Sequence, residues 1–430
     1  MSIYQAVLLA VALAGLAFLT ARVGLHAFLA LILIAVAYGL GADMAVTFIG
    51  QSITIGFTQT VEALGLVIVA ASIAATFAER TGAAAAFARR WPRGAGIWVP
   101  LGLVSGLCAS ISAAFALLAP MQRAVAGAPV PRQAATLALA LLAGHALILP
   151  APGPVAAAAI LQAPLVPVFA LGAPLAILLA LLGGALARRA VDVPPPPRSD
   201  ATVGPWLVIV PLLLPLVFLF VQSIGQIPSE PLGGGHTREF LIGIGRPAFL
   251  LAASVAATLL LARRWRPEIV SEKGWVGEAA ERAASLLLIT GAAGAFAKVL
   301  QNTGMPELMA ERLLDLPLGG ALTLLVPFLA AATMKMLQGS SIVAVLTAAG
   351  MMEPLLAPLG LEADWGRALA VAAIGAGSIT ASHVNDPYFW LVDGHTRLGV
   401  AATLRLFSLA SLLQGLAGIG LLILAGAVLL

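Results

Sequence analysis

Apolar residues run along this chain in long unbroken blocks, and polar residues are confined mostly to the gaps between them. The blocks do not alternate apolar and polar positions as half-buried strands do. Many continue for about 20 residues, the length an α-helix needs to cross a bilayer core of about 30 Å. The pattern predicts spanning helices over 3–20, 24–40, 62–78, 134–163, 167–187, 205–222, 240–262, 280–300, 367–395 and 405–428. The longer blocks are predicted to be helices broken part-way. Two further blocks, 95–127 and 317–358, have small polar centres, Gly106-Leu-Cys-Ala-Ser-Ile-Ser112 and Leu337-Gln-Gly-Ser-Ser341. Each reads as a hairpin that enters the membrane and returns, or as a pair of short helices.

Composition agrees with this reading. Hydrophobic residues make up 61% of the 430 positions and charged residues 10%, where a soluble domain carries roughly a quarter charged residues. The expected class is therefore an all-α polytopic membrane protein, seated in a lipid bilayer. The net charge of +4 comes from loop arginines and predicts no nucleic-acid partner. The only cysteine, Cys108, rules out an intrachain disulfide. It falls in the centre of the first hairpin and is expected to face a watery cavity. The first apolar run has no basic residue before it and no convincing cleavage site, so it reads as a mature helix.

Charge and repetition suggest how the chain is arranged. An outside N-terminus places most of the 23 Lys and Arg on the cytoplasmic side. The first hairpin then opens to the cytoplasm and the second to the outside. Pro194-Pro-Pro-Pro197 reads as a stiff linker. It predicts an N-terminal half over 1–190, a cytoplasmic linker over 191–204 and a C-terminal half over 205–430. Leu64–Gly82, LGLVIVAASIAATFAERTG, is echoed by Leu286–Gly304, LLLITGAAGAFAKVLQNTG. In each half a hairpin follows, then a Gly-rich span with a polar interruption. With the hairpins on opposite sides, this predicts an inverted repeat, as in many secondary transporters.

The interruptions carry the candidate chemistry. In Ser382-His-Val-Asn-Asp-Pro387, Asp is a favoured helix N-cap and Pro a favoured first helical residue. A helix is predicted to unwind near Ser382 and a new one to start at Asp386-Pro387. Such a break is tolerated in a membrane only where protein or a watery cavity surrounds it. His383 and Asn385 serve either interhelical hydrogen bonding or a site. The first-half counterpart is Pro150-Ala-Pro-Gly-Pro154, with His145 just before it and Gly153 inside it. The half-helix that follows is expected to turn its positive end toward an anion. The hairpin centres add Ser110 and Ser112, and Gln338, Gly339, Ser340 and Ser341, though small hydroxyls also permit close helix packing. Lys335 is a cation within an apolar run, either snorkelling or paired with a carboxylate. Ser378 and Ser382 flank the second break. Two hairpin tips and two breaks meeting near mid-membrane predict one polar site for a small hydrophilic anion. Its protonatable members are His145, His383 and Asp386.

These blocks resemble a known family. Gly375-Ala-Gly-Ser-Ile-Thr-Ala-Ser-His-Val-Asn-Asp-Pro-Tyr-Phe-Trp390 is similar to the Gly-Ala-Gly-Ser…Ser-His-Val-Asn-Asp-Ser-Gly-Phe-Trp signature of the gluconate:proton symporter (GntP) family. HALILPAPGPVAAAAIL, from His145, and KMLQGSSIVAVLTAAG, from Lys335, resemble two further family segments in the same order. The resemblance places the chain in a wider ion-transporter superfamily and implies inverted repeats, two re-entrant hairpins and two broken helices, to go with the ten or so spanning helices that hydropathy predicts. It also implies proton-driven uptake of gluconate or related sugar acids and hydroxy acids across a bacterial inner membrane. No cofactor, no metal and no catalytic residue is expected, and a homodimer is allowed. The chain departs from the family pattern at four places. Ser110-Ile111-Ser112 stands for Phe-Phe-Glu, Lys335 for Arg, Ala151 for a second His and Pro387-Tyr388 for a small pair. With Ser112 in place of the acidic residue, His383 is the best remaining proton carrier, ahead of Asp386 and His145. The predicted substrate ligands are Ser110, Ser112, His145, Gly153, Lys335, Gln338, Gly339, Ser340, Ser341, Ser378, Ser382 and Asn385. Two other readings stay open. One is a carrier of the same fold that is sodium-coupled or exchanges carboxylates or amino acids. The other is an intramembrane enzyme using His383 and Asp386.

Overall fold

The computed structural model describes residues 3–81, 83, 97–108, 110–126, 131–188, 206–228, 230–262, 267–303 and 318–430, which form helices and turns with no strand among them. The Pro194–Pro197 linker lies outside the described residues. The first half contains α1 (Ile3–Ala21), α2 (Ala27–Gly41), α3 (Val46–Arg80), α4 (Trp98–Gly106), α5 (Ile111–Ala126), α6 (Pro131–Leu147), α7 (Pro152–Ile160) and α8 (Leu165–Ala187). The second contains α9 (Trp206–Gly225), α10 (Gly235–Ile244), α11 (Pro247–Ala262), α12 (Trp275–Gln301), α13 (Leu325–Gln338), α14 (Ser341–Met352), α15 (Asp364–Ser378), α16 (Pro387–Thr396) and α17 (Val400–Leu429, with a π-helical turn at Leu404–Ser408).

Ten full spans are not what the described residues show. Six helices are long and apolar enough to cross a membrane, or seven if α10 and α11, bent by 60°, count as one. The differences have local causes. α2 stops at Gly41, before Asp43, and its 15 residues reach only about 22 Å at 1.5 Å per residue. The predicted span 62–78 is instead the C-terminal part of α3, a helix of 35 residues. Hydroxyl residues in its first half lower the hydropathy there, but they satisfy themselves locally. Ser52 donates to the Phe48 carbonyl at 2.8 Å and Thr60 to the Gly56 carbonyl at 2.9 Å.

Both predicted hairpin regions turn at their polar centres, between α4 and α5 and between α13 and α14. α4 has 9 residues and α14 has 12, about 14 and 18 Å at helical rise, so neither crosses a bilayer core. Both predicted breaks are present, at 148–151 and 379–386.

Helix contacts in one half have counterparts in the other. α3 packs along α12, the two copies of the echoed segment. Their backbones touch, since a Cβ on Gly56 would overlap the Gly294 carbonyl and one on Gly294 would overlap the Thr60 hydroxyl. α2 packs on α12 and α11 on α3; α4 lies on α6 and α13 on α15; α6 meets α8 and α15 meets α17. Across the halves, α5 touches α16 and α14 touches α7. The first hairpin thereby meets the helix that follows the second break, and the second hairpin the helix that follows the first.

Candidate functional site

The site is built around the start of α16. Pro387 has no backbone N–H to leave unpaired at the first helical position. Asp386, as predicted, caps the helix, its Oδ1 accepting from Tyr388 N at 2.9 Å. The unwound stretch before it needs partners for its peptide groups. Ser411 accepts from Ser382 N at 3.1 Å, Ser408 donates to the Ser382 carbonyl, and Trp390 Nε1 donates to the Val384 carbonyl at 2.7 Å. Ser408 closes the π-helical turn of α17. It and Ser411 were not among the predicted site residues, although their i, i+3 spacing in an apolar helix puts two hydroxyls on one face.

Lys335 reaches the site from α13. Its Nζ lies 2.6 Å from Asp386 Oδ2, with the two side chains 1% and 5% exposed. The same ammonium lies 3.4 Å from the Gly339 carbonyl, and Ser382 Oγ also donates to Asp386 Oδ2. Lys335 is therefore buried and paired, not snorkelling. Asn385 Nδ2 donates to the Met336 carbonyl at 2.7 Å. Gly339 ends α13 with φ of +66°, a conformation glycine adopts without penalty. Ser340 then caps α14 by accepting from Val343 N at 3.5 Å, and Ser341 Oγ donates to the Ser378 carbonyl at 2.9 Å.

From the first half come His145, Gly153, Ser110 and Ser112. His145 Nδ1 is 3.0 Å from the Gly106 carbonyl, which ties α6 to the end of α4. Both His145 and His383 are buried. Gly153, at the start of α7, faces Val345 and Ile342 of α14. Ser110 caps α5, accepting from Ala113 N at 3.2 Å, in the way Ser340 caps α14. Ser112 is half-buried and no hydrogen bond ties it to Lys335 or Asp386. The expected anion-attracting end of α7 is weak. Pro152 and Pro154 have no N–H, and Val155 N is engaged by the Ala151 carbonyl at 3.3 Å. That leaves Gly153 as the free donor of the first turn.

Cys108 also departs from its expectation. It is 2% exposed, with Sγ 3.5 Å from the Leu216 carbonyl of α9. In this conformation a small polar thiol reagent is expected to leave Cys108 unmodified, as read by intact-mass spectrometry. Rapid labelling of resting protein would mean that α9 does not cover the hairpin turn.

Among the described residues, four buried polar atoms on residues close in sequence to Lys335 or Asp386 have no hydrogen-bond partner: Gln338 Oε1, Asn385 Oδ1 and both ring nitrogens of His383. The Met336 carbonyl lies near the His383 ring without closing a bond. Unpaired buried polar groups cost about 1–3 kcal/mol each and are rare without a reason. Here they belong to residues within three positions of Lys335 or Asp386 in the chain, and unpaired acceptors of this kind near a buried cation suit a small anion that also carries hydroxyls.

A membrane-crossing helical body with two broken helices and a buried polar centre is the construction of a permease. The chain belongs to the GntP family of permeases: the family model described as GntP family permease matches residues 4–428. It is similar to the Gnt-II system L-idonate transporter of Escherichia coli K12, at 28% identity, with 92% of each chain covered. It is similar also to the high-affinity gluconate transporter of the same organism, at 28% identity over 96% of this chain and 97% of that one. Among solved structures, the YdaH transporter of Alcanivorax borkumensis covers 93% of this chain and 98% of its own, at 18% identity and a TM-score of 0.37, too loose a likeness to carry weight. As the family consists of permeases, the intramembrane-enzyme reading falls away.

Proposed function

We propose that this permease is a proton-coupled symporter that carries a gluconate-like sugar acid or hydroxy acid into the cell across the bacterial inner membrane. The observation that carries the reading is the buried Lys335 ammonium on Asp386, with unpaired buried acceptors, Gln338 Oε1 and Asn385 Oδ1, on residues within three positions of that pair in the chain. The cation suits a carboxylate and the two carbonyl oxygens suit hydroxyl donors. Relatives named for gluconate and L-idonate transport support the substrate class, and one named an inner membrane permease supports the location. The paired helix contacts and the matching Ser110 and Ser340 caps support two related halves. An inverted relation between the halves remains part of this proposal, as do the two domain boundaries at 190 and 205.

The test is uptake of labelled gluconate and L-idonate by proteoliposomes with an alkaline interior. The expected result is accumulation that a protonophore abolishes and a sodium gradient does not restore. Accumulation driven by sodium alone, or exchange without accumulation, would replace the symport reading with the corresponding carrier. No transport of either acid under any gradient would overturn the substrate class.

A further inference from the structure

We propose that the Lys335–Asp386 pair is the coupling switch: the substrate carboxylate takes the place of Asp386 on Lys335, and the released Asp386 carries the co-transported proton. This rests on the symport reading above and names the residue that links its two fluxes.

The geometry makes the two carboxylates competitors. An ammonium is a point charge and does not clamp carboxylates with a planar fork. Lys335 Nζ is already engaged by Asp386 Oδ2 at 2.6 Å and approached by the Gly339 carbonyl at 3.4 Å. A substrate carboxylate arriving beside an ionised Asp386 would leave one buried negative charge without a cation. Buried unpaired charges are strongly disfavoured, and the group neutralises instead. Proton uptake by Asp386 restores neutrality, so substrate and proton enter the site together.

The surroundings of Asp386 suit both of its states. Ionised, it accepts from Lys335, from Ser382 Oγ and from Tyr388 N. Protonated, it keeps Oδ1 on Tyr388 N and so still caps α16. Its new hydroxyl at Oδ2 donates to Ser382 Oγ, which turns from donor to acceptor by rotating its own hydrogen. Among the described residues, the titratable groups that interact with the pair are His383 from the break, Tyr388 from α16 and His145 from α6. His145 is held by the Gly106 carbonyl. Neither ring nitrogen of His383 makes a hydrogen bond. Asp386 alone is joined to the cation that the substrate would occupy. The proton moves from outside water to the Asp386 carboxyl on loading, and from it to inside water on release, when the Lys335–Asp386 pair re-forms.

The experiment uses purified protein in proteoliposomes loaded with a pH-sensitive dye, with external gluconate as the probe. Wild-type protein is expected to acidify the lumen as gluconate enters. Asp386→Asn should still exchange external for internal gluconate, at a reduced rate, but lose both the acidification and uphill accumulation. His383→Gln, whatever its rate, should keep the wild-type ratio of protons to gluconate. Coupled acidification in Asp386→Asn, or its loss in His383→Gln with exchange retained, overturns the proposal. If Asp386→Asn does not exchange, titration calorimetry of wild type and His383→Gln in buffers of different ionisation enthalpy decides. About one proton taken up per gluconate bound by both proteins supports Asp386, and its loss in His383→Gln overturns it. A wild-type protein that neither binds nor moves gluconate or L-idonate overturns the substrate class on which this inference rests, a failure distinct from that of the switch.

Discussion

Lys335→Gln is expected to destabilise the protein by about 3–5 kcal/mol, the usual cost of removing one partner of a buried ion pair. The cause is less the lost attraction than the carboxylate left behind. Asp386 is 4% exposed, and without Lys335 its charge has only the Ser382 hydroxyl and the Tyr388 amide as partners. The double substitution Lys335→Gln with Asp386→Asn should recover most of the loss, because the stranded charge is gone and Asn still caps a helix. Thermal unfolding in detergent reads both effects. Transport separates them from function: the double variant should be folded yet need a much higher gluconate concentration for half-maximal exchange. A single Lys335→Gln variant as stable as wild type would show that the pair is not buried in the resting protein.

Gly339→Ala is expected to abolish accumulation at modest cost to folding. The residue sits at φ of +66°, where an L side chain costs roughly 1–2 kcal/mol. The larger effect is positional. An added Cβ would overlap the Asn385 carbonyl oxygen and lie within 3.2 Å of Asp386 Cα. Asn385 and Asp386 must then move away from α13, and Asp386 from Lys335. Displacements of about 1 Å at a working site reduce rates by as much as about a hundredfold. The control is Gly350→Ala, also in the second hairpin, where an added Cβ meets no atom within 4 Å. Its uptake should stay close to wild type. Normal accumulation by Gly339→Ala would mean that α13 and the break can separate without harm to coupling.

Much of this protein was legible along the chain. Unbroken apolar blocks dictated helices. Asp386-Pro387 announced a helix start because capping and the missing proline N–H act on neighbouring residues only. Gly339 marked a turn for an equally local reason. Other features depended on which helices lie side by side. The Lys335 partner is 51 residues away in sequence, and hydropathy does not say which face of α13 meets which break. The sequence offered Ser110 as a polar group of the hairpin centre, and only the fold shows its oxygen accepting from the start of its own helix. Ser408 and Ser411 lie in an unbroken apolar run that marks no site, and only the packed fold brings them to the backbone of Ser382. The apolar runs, caps and breaks follow from interactions within a few residues, which the chain order itself supplies. The pairing of Lys335 with Asp386, and the unpaired acceptors beside them, exist only because tertiary packing excludes water there and leaves each polar group to whatever another helix brings.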